Sequence, residues 1–70
     1  MLLAAYNKSD DPEKDHEYLA YFESFGAAID GCEEYYRNST GKDPRLLFWT
    51  IRSTCGNGMI DGKIVFVIKS

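Results

Sequence analysis

The sequence is poor in the residues from which most active sites are made. It has one histidine, His16, and two cysteines, Cys32 and Cys55, in 70 residues. Nucleophilic catalysis needs a Ser or Cys activated by a base that is itself held in place. The one histidine closes the most polar stretch of the chain, N-K-S-D-D-P-E-K-D-H at 7–16, where a solvated loop is expected. Carboxylates are plentiful but stand in hydrophilic surroundings, whereas catalytic pairs need apolar walls that drive their pKa values apart. The chain therefore reads as no enzyme. Zinc would require more Cys or His. Asp10, Asp11, Glu13, Asp15 and His16 offer hard ligands close together, but not in the D-x-[DN]-x-[DN]-G order of a calcium loop. Neither G-x-G-x-x-G nor G-x-x-x-x-G-K occurs, so no loop is built to cradle a phosphate. No metal and no cofactor is expected.

Long apolar runs are missing as well. Ile64–Ile68 is five residues long and no run exceeds six, against ~18 residues for a membrane span. The opening M-L-L-A-A-Y has neither the basic flank nor the length of a signal peptide. Both point to a cytoplasmic protein without a membrane. In that compartment Cys32 and Cys55, which form no C-x-x-C, are expected to be free thiols packed as small hydrophobes.

What remains is an ordinary globular composition, 44% hydrophobic, 14% aromatic and 27% charged, which excludes disorder and a disulfide scaffold. The length implies one α+β domain over 1–70. A core of that size supplies only ~3–5 kcal/mol, so a homodimer or a binding partner is expected. The net charge of −3 is unevenly spread. Residues 1–36 carry nine acids against two bases, and residues 37–70 carry six bases against two acids. Such asymmetry points to a charged partner.

Leu2–Tyr6 is apolar and suits a strand. Glu17–Glu23, E-Y-L-A-Y-F-E, is aromatic-rich and reads as a second strand, with Tyr18, Ala20 and Phe22 on one face and Leu19 and Tyr21 on the other. At Ser24 the period changes. Phe25, Ile29, Cys32 and Tyr36 recur at helical spacing, widened by Ala28 and Tyr35, with Ser24 as N-cap and Gly41 as the stop. Gly26 and Gly31 cost this helix roughly 1 kcal/mol each, so close approach to the sheet is their expected use. Arg45–Gly56 and Met59–Ser70 read as a long hairpin about a type I′ turn at Asn57-Gly58. That register sets Ile51 opposite Ile64, Trp49 opposite Phe66 and Leu47 opposite Ile68. A competing turn at Asp61-Gly62 would place Asn57 against Phe66 and Gly58 against Val65, and Gly62 is instead read as a bulge. The expected architecture is β-β-α-β-β, a small sandwich of an antiparallel sheet with one amphipathic helix packed on one face. The hairpin's second face is apolar in its middle, so Phe48, Val65 and Val67 are the candidate dimer or secondary interface.

The small size and sparse catalytic inventory resemble those of small phage-encoded accessory proteins. So does the layout of Phe22-Glu23-Ser24, then Phe25-Gly26-Ala27-Ala28-Ile29, then a terminal hairpin. That group includes anti-CRISPRs, host polymerase inhibitors and DNA mimics. The resemblance implies a stoichiometric inhibitor that occludes a host nucleic-acid-handling protein. It names no site residues. From the residues themselves, the candidate contact is the acidic set Asp10, Asp11, Glu13, Asp15, Glu17, Asp30, Glu33 and Glu34, which suits a basic host protein. The alternative is a small single-stranded nucleic-acid-binding protein. It would use Tyr21, Phe48 and Trp49 as a stacking platform with Arg45, Arg52, Lys63 and Lys69 nearby.

Overall fold

The computed structural model describes residues 1–8 and 16–70. These form β1 (Leu2–Asn7), β2 (His16–Phe22), α1 (Phe25–Thr40), β3 (Phe48–Ile51), β4 (Cys55–Ile60) and β5 (Lys63–Lys69), with a 3-10 turn at Pro44–Leu46. The strands make one sheet in the order β2-β1-β5-β4-β3. Every neighbouring pair is antiparallel, and α1 lies across one face. The α+β class and the helix-on-sheet packing are as the sequence implies, with one strand more than expected.

The helix forms where the period changes. Ser24 is extended (φ −145°), and its hydroxyl accepts a hydrogen bond from the Ala27 N–H at 3.2 Å. At the other end Gly41 turns left-handed (φ 71°) and donates its N–H to the Arg37 carbonyl at 2.9 Å. Ala28, Cys32 and Tyr36 are buried against the sheet, flanked by half-buried Phe25, Ile29 and Tyr35. Gly31 serves close approach: a Cβ there would stand 2.4 Å from the Phe22 ring. Gly26 does not, since a Cβ there would meet only the Ser24 hydroxyl at 3.9 Å.

The expected hairpin is corrected. The turn is Asp61-Gly62, whose φ values of 52° and 77° are the two positive angles that a type I′ turn requires. Asn57 and Gly58 lie inside β4, and β3 joins β4 through the loop 52–54. Ile51 therefore faces Gly56 and Trp49 faces Gly58, while Phe66 faces Gly58 from the other side. The expectation paired large side chains directly. The fold instead places a glycine-bearing strand between them. A Cβ at Gly58 would lie 2.8 Å from the Trp49 indole, and one at Gly56 2.7 Å from Ile51 Cδ1. Over the bare Gly58 backbone, Trp49 reaches across to stack on Phe66, with ring centroids 6.0 Å apart and planes at 24°.

Two bulges break the alternation of faces. In β5 the register shifts opposite Gly58/Met59, because Gly58 faces Phe66 but Met59 faces Ile64. Val65 is the extra residue, and it packs with Phe66 on the helix side. In β2 the shift falls at Leu19, since Ala4 faces Ala20 but Ala5 faces Tyr18. Leu19 turns to the core, so Tyr18 shares a face with Tyr21 rather than with Phe22. The core lies between α1 and the sheet, centred on the fully buried Phe66 and Ile68. Tyr6, Tyr35, Tyr36 and Trp49 surround Phe66 with ring centroids 5.4–6.3 Å from it.

Candidate functional site

Among the described residues no helix covers the second face of the sheet. By the period-two alternation of strands and the observed registers, Leu3, Ala5 and Val67 form its floor along β1 and β5, Tyr18 and Tyr21 flank that floor on β2, and Phe48 of β3 stands beside Met59 at the opposite edge. Ala5 and Val67 are buried, whereas Tyr18, Tyr21 and Phe48 are 68%, 64% and 69% exposed. Among the described residues, Lys69 is the one Asp, Glu, Lys or Arg that a strand turns to this face. A small pocket of about 140 Å³ opens here between Leu3, Ala5, His16, Tyr18, Val67 and Lys69. His16 Nε2 is buried without a hydrogen-bond partner among the described residues.

At the β2 edge the bare face gives way to a second concavity. A groove of about 480 Å³ runs between Glu17, Tyr18, Leu19, Ala20 and Phe22 of β2 and Gly31, Glu34, Tyr35 and Asn38 of α1. Its base follows from local sequence: Gly31 lets the Phe22 ring sit against the helix, and the bulge tucks Leu19 inward. Glu17 anchors one end. It accepts a hydrogen bond from the Tyr35 hydroxyl and pairs with Lys8 Nζ at 3.4 Å. The Tyr35 hydrogen bond, aided by the Lys8 charge, holds the Glu17 carboxyl below its usual value. The same hydrogen bond raises the Tyr35 phenol.

The sequence-derived acidic set is divided by the fold. Asp10, Asp11, Glu13 and Asp15 lie outside the described residues. Glu17 belongs to the groove and is engaged with Tyr35 and Lys8. Asp30, Glu33 and Glu34 lie on α1, and of these only Glu34 reaches the groove. Of the other candidate interface, Phe48 and Val67 do share the bare face, but the β5 bulge sends Val65 to the helix side, where it packs beside the core. Simple alternation groups Tyr18 with Ala20 and Phe22; only the bulge reveals its exposure on the face with Tyr21 and Phe48.

The stacking platform of the alternative reading is also divided. Trp49 is held in the core against Phe66, on the opposite side of the sheet from Phe48 and Tyr21. Arg45 is clamped by Asp43, with Nη2 2.8 Å from Oδ2. Both cysteines are free thiols. Burial, with a smaller contribution from the Glu33 charge, pushes Cys32 up to about 12, so it is packed as a hydrophobe and not poised as a nucleophile. Among the described residues no three His, Cys, Asp or Glu gather as a metal site, and no helix is long and apolar enough to cross a membrane. Compared with known proteins, the chain matches no family model, no curated protein and no solved structure.

Proposed function

We propose that this chain is a non-enzymatic binding module that holds a protein partner against its bare sheet face. One observation carries the reading: Tyr18 and Tyr21 at one edge of the bare face and Phe48 at the other stand exposed where, among the described residues, the strands place Lys69 as the one charge. The centres of protein interfaces have this composition, rich in Tyr and Phe and depleted of Lys, Glu and Asp. Exposed large apolar side chains gathered on one uncovered face mark an interaction site. A nucleic-acid platform would pair its aromatics with several cations, which the strands do not bring to this face. Occupation of a partner's surface is how a stoichiometric inhibitor acts, and inhibition of a nucleic-acid-handling protein is the form of the proposal that the resemblance to phage accessory proteins favours.

The test is capture from nuclease-treated bacterial lysate with tagged protein, comparing wild type with the triple variant Tyr18→Ser, Tyr21→Ser and Phe48→Ser. A protein retained by wild type and lost by the variant, with the variant's circular dichroism unchanged, is the expected result. Equal retention by both, or recovery of nucleic acid in place of protein, overturns the reading.

A further inference from the structure

We propose that β2 accepts an extended segment of the partner protein as an added strand, and that this segment carries Lys or Arg on the side facing α1 and apolar residues on the side facing the bare sheet. The proposal rests on the binding-module reading and names the partner's chemistry.

The two edges of the sheet are unequal. β3 is four residues long and follows directly from the Pro44–Leu46 turn. β2 is seven residues long, contains neither Pro nor Lys and, among the described residues, pairs only with β1; the bulge at Leu19 is the one guard it carries. Proteins commonly guard edge strands with those residues or with short length, because an unpaired row of N–H and C=O groups recruits another strand. Recruiting one is also a standard mode of peptide recognition, with backbone hydrogen bonds giving affinity and alternate side chains giving specificity.

The surroundings of β2 define those alternate side chains. On the helix side lies the 480 Å³ groove, to which Glu34 contributes a carboxylate and Glu17 one already paired with Lys8, and among the described residues no Lys or Arg lines it. On the other side Tyr18 and Tyr21 present exposed rings. Side chains of an added strand alternate between the same two sides, so basic and apolar residues in alternation satisfy both. The charge also decides against a second copy of this chain. A second copy's β2 brings no Lys or Arg to meet Glu34, because its sequence is H-E-Y-L-A-Y-F. The bulge at Leu19 further interrupts the ladder, which limits edge-to-edge zipping and keeps the accepted segment short.

The probe is a capped, fluorescein-labelled octapeptide of alternating Arg and Val. Its controls are a peptide of the same composition in two blocks and one with Glu in place of Arg. Each is titrated by anisotropy against the full chain and its Glu34→Gln variant, with backbone amide exchange measured in parallel. The expected result is saturable binding of the alternating Arg peptide alone, weakened about threefold by Glu34→Gln and further by salt, with exchange protection gained in β2. Failure to saturate, equal binding of the block or Glu peptide, indifference to Glu34→Gln, or protection gained in β3 overturns the proposal. If the peptide fails while the aromatic triple variant still loses its captured protein, strand addition falls and the binding module stands. If both fail, the module reading falls with it.

Discussion

The two faces of this sheet are built from the same strands and do opposite things with their aromatic residues. On the covered face Tyr6, Tyr35, Tyr36 and Trp49 close around Phe66, each ring within 6.3 Å of it. On the bare face Tyr18, Tyr21 and Phe48 stand mostly in solvent. Aromatic content therefore does not decide between core and surface. What decides it is the presence of a helix on one side only, together with two bulges that change which residues point to which side.

The sharpest way to break this comparison is to delete one ring from each face. Phe66→Ala should cost ~3–5 kcal/mol, as large-to-small changes in packed cores do, and that approaches the whole stability of a domain this size. Phe48→Ala should stay within ~0.5 kcal/mol, as expected of surface changes. Urea midpoints of the two variants measure the contrast. Equal effects would mean that the bare face is buried in the free protein.

A smaller effect is expected from the glycines that let rings approach. Gly58→Ala forces the Trp49 indole off Phe66 and should cost ~1–3 kcal/mol. Gly31→Ala meets the Phe22 ring and should also destabilise. Gly26→Ala, with open space around it, should stabilise by roughly 0.5–1 kcal/mol. Thermal unfolding of the three variants gives the signs directly, and a stabilising Gly31→Ala would contradict the close approach.

The smallest effect concerns the Tyr35–Glu17 tether, which is partly exposed. Glu17 is held below its ordinary value of 4.5, so the folded state favours its ionised form. That contribution is present above 4.5 and is lost as pH falls through the lowered value. Tyr35 is raised above its ordinary 10.0, so its contribution is present below 10.0 and fades as pH rises through the raised value. Glu17→Gln should thus narrow the pH range of maximal melting temperature, with the gap from wild type closing in acid. A gap that persists unchanged to pH 2 would show that the carboxylate charge plays no part.

Helix α1 was legible almost residue by residue, because Ser24, Gly41 and the Phe25–Tyr36 stripe are local signals. The first two strands were legible as apolar and aromatic runs. The hairpin was not, since two turn dipeptides compete and the choice rested on matching large residues across the ladder. That criterion assumes direct neighbours. Trp49 and Phe66 do meet, but over Gly58, and sequence alone does not show that a glycine strand can stand between its partners. The site was lost in the same way. Bulges at Leu19 and Val65 depend on pairing across the sheet, so simple alternation assigned Tyr18 and Val65 to the wrong companions, and the acidic residues that looked continuous in sequence are distributed over β2, α1 and a stretch outside the described residues.

The placement of β1 against β5 has a consequence for how the chain folds. β1 pairs with β2, and β4 turns into β5 at Asp61-Gly62, but neither pair supplies the other with a core. Leu3 meets Lys69, and Tyr6 meets Phe66, only after some sixty intervening residues are gathered. Closing so long a loop is entropically slow. The Phe66 cluster, which joins rings from β1, α1, β3 and β5, therefore assembles in one late step. Until β5 is available, α1 has only the β1–β2 pair to lie on, with Gly31 against the Phe22 ring, and the centre of its core is missing.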